Sequence, residues 1–188
     1  MANKQAISHL NEGFFIKFIQ DLILMGYALT DYSTDNLSAT FKTMRGDISV
    51  KHSTRDQQTI NVEGVGYNPN TNVFSQLHLM ITSKNEDYQE SMTILTHLTQ
   101  PTGRDIRTAF AFYILNQRQY GYHEQPITDL KLHEATEVTQ VSFKTNSKTY
   151  KFTMQTPNLQ GLVPVFFNNN TALLRSPQDI LKWVLEQN

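Results

Sequence analysis

The chain has 188 residues, a formal net charge of −1, 39% hydrophobic and 11% aromatic residues, 18% charged residues and no cysteine. That length buries a core large enough to fold without metal or disulfide, and the composition excludes intrinsic disorder. Without cysteine, disulfides, thiolate zinc sites and a thiol nucleophile are excluded, and without a basic excess a dedicated nucleic-acid binder is disfavoured.

The N-terminal stretch Met1-Ala2-Asn3-Lys4 lacks the pattern of a signal peptide. The most apolar segment, residues 14–25, is broken by Lys17, Gln20 and Asp21, too polar for a membrane span. The expectation is a cytoplasmic protein with no membrane contact.

The first predicted element is a helix over residues 4–25, because Ile7, Leu10, Phe14, Phe18, Leu22 and Met25 recur at spacings of three and four. Gly26 closes it as a left-handed cap. A second stripe, Phe15, Ile19 and Ile23, widens the apolar arc. Either the helix is buried on two sides, or that stripe meets a partner chain, most simply a second copy.

Period-two alternation then predicts strands at 39–42, 48–51, 60–63 and 76–81, an antiparallel meander over about 37–83. Its dry face holds Phe41, Val50, Val62 and Leu79, and its wet face Lys42, Lys51, Glu63 and His78. The tripeptide Arg45-Gly46-Asp47 reads as a hairpin turn rather than an adhesion motif. Ser83 with Glu86 predicts a capping box, opening a helix that carries Tyr88, Met92, Leu95 and Leu98. Pro101-Thr102-Gly103 breaks it, and a further helix is expected over 104–119 with Ile106, Ala109, Phe110, Tyr113 and Ile114 inside.

The last third returns to strands at 141–144, 150–154, 162–167 and 172–174, with a hairpin at Asn146-Ser147. Ser176-Pro177 opens a final helix with Ile180, Trp183 and Val184 inside. Blocks of helices and strands in this order predict a single α+β domain over 1–188.

Named catalytic and nucleotide-binding motifs are absent from the sequence, and nothing in it implies a cofactor or a metal. Three constellations remain. His78 and Glu63 on neighbouring strands are candidates for acid–base work, since a carboxylate beside a histidine orients it. Gly103, Arg104 and Arg107 at a helix N-terminus would form an anion site for a phosphate or an acidic group. Phe15, Ile19 and Ile23, with Tyr120 and Tyr122 around Gly121, are candidate interaction residues. The reading is a non-catalytic binding or protein-interaction domain that meets a protein partner or itself. An enzyme or binding domain for a small phosphorylated or acidic molecule is the alternative, and a nucleic-acid accessory protein the third.

Overall fold

The computed structural model describes residues 4–53, 59–68, 73–103, 105–120, 127–135, 137–146 and 148–187, with side-chain detail for 4–11, 67–68, 73–75 and 118–120 excepted. Four helices and ten strands are formed among them, an α+β architecture in which helices pack on antiparallel sheet. The chain divides into two compact units, residues 1–29 with 36–104 and residues 30–35 with 105–188. No helix among the described residues is long and apolar enough to cross a membrane.

In the first unit, strands β2 (Ser38–Thr43), β3 (Gly46–His52), β4 (Thr59–Asn68) and β5 (Val73–Thr82) form a meander in sequence order. Alternation sets its faces: Val50 lies opposite Val62, and Val62 opposite Leu79, in the buried row. Phe41, Ile48, Ile60, Val62 and Ile81 are fully buried; helix α1 (Lys4–Leu24) belongs to the same unit, and α2 (Asn85–Thr99) packs on β4 and β5. The β2–β3 turn is closed by Thr43, whose hydroxyl donates to the Gly46 carbonyl at 2.5 Å and accepts from the Arg45 amide at 3.1 Å. Gly46 there takes φ = 126°, a conformation that disfavours any side chain.

Helix α1 ends as expected at Gly26 (φ = 97°), where the Tyr27 amide reaches back to the Leu22 carbonyl at 3.0 Å. The capping box of α2 does not form. Lys84 stands at the cap in extended backbone and gives no side-chain hydrogen bond, so Ser83 lies one residue too early. The two helices are tied instead through side chains. The Tyr88 hydroxyl donates to the Asp21 carboxylate, and Lys17 sits 3.2 Å from that carboxylate and 4.0 Å from the Tyr88 ring centroid.

Burial, then the hydrogen bond and the negative charge of Asp21, hold the Tyr88 phenol above its ordinary value near 10. A raised acid contributes stability that is complete below its unfolded pKa and fades as pH climbs past it. Tyr88→Phe is therefore expected to lose about 1.5 kcal/mol at neutral pH and to show a shallower loss of melting temperature between pH 9 and 11. The alkaline loss is reduced, not abolished, because Tyr27 and Tyr32 are also pushed up, in each case chiefly by burial. Thermal melts of both proteins across that range are the check; parallel curves would show that Tyr88 does not titrate with unfolding.

In the second unit the strand order is β10 (Asn170–Leu174), β9 (Val163–Phe167), β8 (Lys148–Gln155), β7 (Val138–Thr145), β6 (Thr128–Ala135) and then residues 30–33 of β1 (Ala28–Ser33). Helices α3 (Ile106–Tyr120) and α4 (Pro177–Glu186) belong to this unit. Phe143 stacks on Tyr150 at 5.2 Å and Phe110 meets Phe152 edge-on at 5.7 Å. Ser176 caps α4 by accepting from the Asp179 amide at 3.2 Å, with Pro177 in the first turn, as its sequence predicts.

Candidate functional site

Glu63 and His78 are directly opposed across β4 and β5, as the alternation predicts. They continue a row that runs from Thr40 through Ser49 on the solvated face. Both are exposed, so water surrounds the pair on an open sheet surface. Lys51 faces Asn61. His52, at the end of β3, turns to the buried face; its Nδ1 lies 2.8 Å from the Ser53 carbonyl and its ring meets Phe14 edge-on.

The predicted anion site is not built as one. Helix α3 starts at Ile106 rather than at residue 104, because Asp105 caps it. One Asp105 oxygen accepts from the amides of Arg107 (3.0 Å) and Thr108 (3.2 Å), filling the positions an incoming anion would use. The Gly103 amide donates to the Gly26 carbonyl at 2.8 Å. Arg107 is held by two carboxylates: Nε donates to Asp105 at 2.9 Å, and the terminal nitrogens bond Asp105 and Glu134. Partial burial works to lower the Arg107 pKa, but the bonds to Asp105 and Glu134 outweigh it and leave it raised. Arg104 lies outside the described residues.

Around this cluster runs a cavity of about 110 Å³ lined by Asp105, Arg107, Glu134, Glu137, Gln155 and neighbours. Among the described residues, three carboxylates and one guanidinium line it, an acidic balance that does not favour an anion. Arg107→Ala is expected to cost about 1–3 kcal/mol, because Asp105 and Glu134 lose the cation between them, and Arg107→Lys to restore only part, lacking the planar fork. Urea titration measures the loss. Phosphate that raised the melting temperature of the native protein but not of Arg107→Ala would reinstate the anion site.

The interaction stripe on α1 is also corrected. Phe15, Ile19 and Ile23 are each 0% exposed. The wide apolar arc is that of a helix covered on two sides, so these residues offer no surface to a second chain. Tyr122 and the side chain of Tyr120 lie outside the described residues.

Further charged groups meet in pairs that sequence spacing does not reveal. Asp31 and His133, 102 positions apart, are opposed on β1 and β6, with the carboxylate bonded to Nδ1. Lys131 pairs with Asp35 at 2.9 Å, and that hydrogen bond holds the Asp35 carboxyl below its usual range. Lys144 pairs with Asp129 at 3.4 Å. The alternation Leu130-Lys131-Leu132-His133 is the sequence signal for β6, a strand that the sequence expectations do not include.

The second unit also carries apolar side chains held in water. In the loop before β9, the Asn158 side chain accepts from the amides of Gln160 (3.0 Å) and Leu162 (2.9 Å). Its backbone bonds Leu162 at 2.8 Å and Gly161 at 2.9 Å. Four hydrogen bonds thus fix a turn that presents Leu159 at full exposure. On the following hairpin Phe166 is 38% and Leu173 56% exposed. Phe166 opposes Thr171 and Leu173 opposes Pro164, so the two sit diagonally on one face. Residues 163–174 contain no ionisable side chain, and β10 ends the strand order.

No protein-family model matches this sequence, and neither a curated protein nor a solved structure matches it.

Proposed function

We propose that this protein is a non-catalytic binding module that engages a protein partner through the β9–β10 hairpin of its second unit and the Leu159 turn that leads into it. The observation that carries this reading is the rigid exposure of Leu159. A turn fixed by its own hydrogen bonds loses little freedom when a partner closes on it, so the contact is pre-organised. Phe166 and Leu173 add apolar area on an uncharged hairpin, a composition that favours the desolvated centre of an interface. Glu63 and His78 lie exposed on an open sheet face rather than in a cleft, which favours binding over acid–base chemistry.

The test is photo-crosslinking in the native cell with the reactive group at position 159, at 173 and, as a control, at exposed Lys51. The expected result is one protein captured at 159 and 173 and not at 51, with capture at 173 lost in a Leu159→Asp, Phe166→Ser variant that melts within a few degrees of the native protein. The same capture pattern at all three positions, or capture unchanged by the double substitution, would remove the proposal. Capture of a second copy of this chain at 173 would identify the partner as itself.

A further inference from the structure

We draw no further inference here: the strongest candidate, the small cavity at the N-terminus of α3 lined by Asp105, Arg107, Glu134 and Glu137, is an acidic cluster beside a helix end whose guanidinium is already paired, and no independent observation points to a ligand for it.

Discussion

Phe15→Ala is expected to lower stability by about 3–5 kcal/mol, the range for truncating a fully buried aromatic side chain. Phe15 is 0% exposed, and so are its neighbours Phe18 and Ile19 on both sides of the helix. The substitution removes apolar area from the core and leaves a cavity that α1 cannot collapse into, because Phe14, Ile16 and Phe18 already fill the adjoining positions. A loss of that size is a large share of the stability of an ordinary domain, so the variant is expected to unfold at about 1–3 M less urea or to express poorly. Urea titration followed by circular dichroism measures it. A loss below about 1 kcal/mol would return Phe15 to the surface and revive the partner-facing stripe.

Gly64→Ala is the second large effect. A Cβ placed on Gly64 would lie 2.7 Å from the Asp47 carbonyl oxygen and 2.9 Å from the Ile48 Cγ2. The first obstacle is backbone, which cannot swing aside as a long side chain does. Strands β3 and β4 would have to separate where Ile48 opposes Gly64, and overpacking of this kind costs about 1–3 kcal/mol. Gly13 supplies the contrast. It lies within α1, is exposed, and an added Cβ there meets nothing within 4 Å. Gly13→Ala is expected to gain about 0.5–1 kcal/mol from helix propensity alone. Equal melting temperatures for the two variants would contradict the close approach at Gly64.

The first unit was the more legible half. Its meander follows from alternation because one face is dry and the other wet, and the predicted opposition of Glu63 and His78 is the register found. Strand β1 was not legible: Ala28 and Leu29 are both buried, which breaks the period of two. Helix α3 starts two residues later than the sequence expectation of 104, at Ile106. Capping preference alone favours Asp105, and once it caps the helix its second oxygen is positioned to take the Arg107 fork. The Glu134 contribution could not be read, since it depends on β6 lying within reach of α3.

By itself the sequence determined the local matters: where the helices and the strands other than β1 and β6 form, which face of each is apolar, and the caps at Gly26 and Ser176. These depend on residues within a few positions of one another, which periodicity and cap chemistry report. Only the tertiary structure decided what the side chains do. It turned the second stripe of α1 inward, joined Asp31 to His133, and closed Arg107 between two carboxylates. It also left Leu159 in water on a fixed turn. The physical reason is common to the first three: burial and charge pairing depend on partners distant in the chain, and one sequence pattern is compatible with a core, an interface or solvent until those partners are in place.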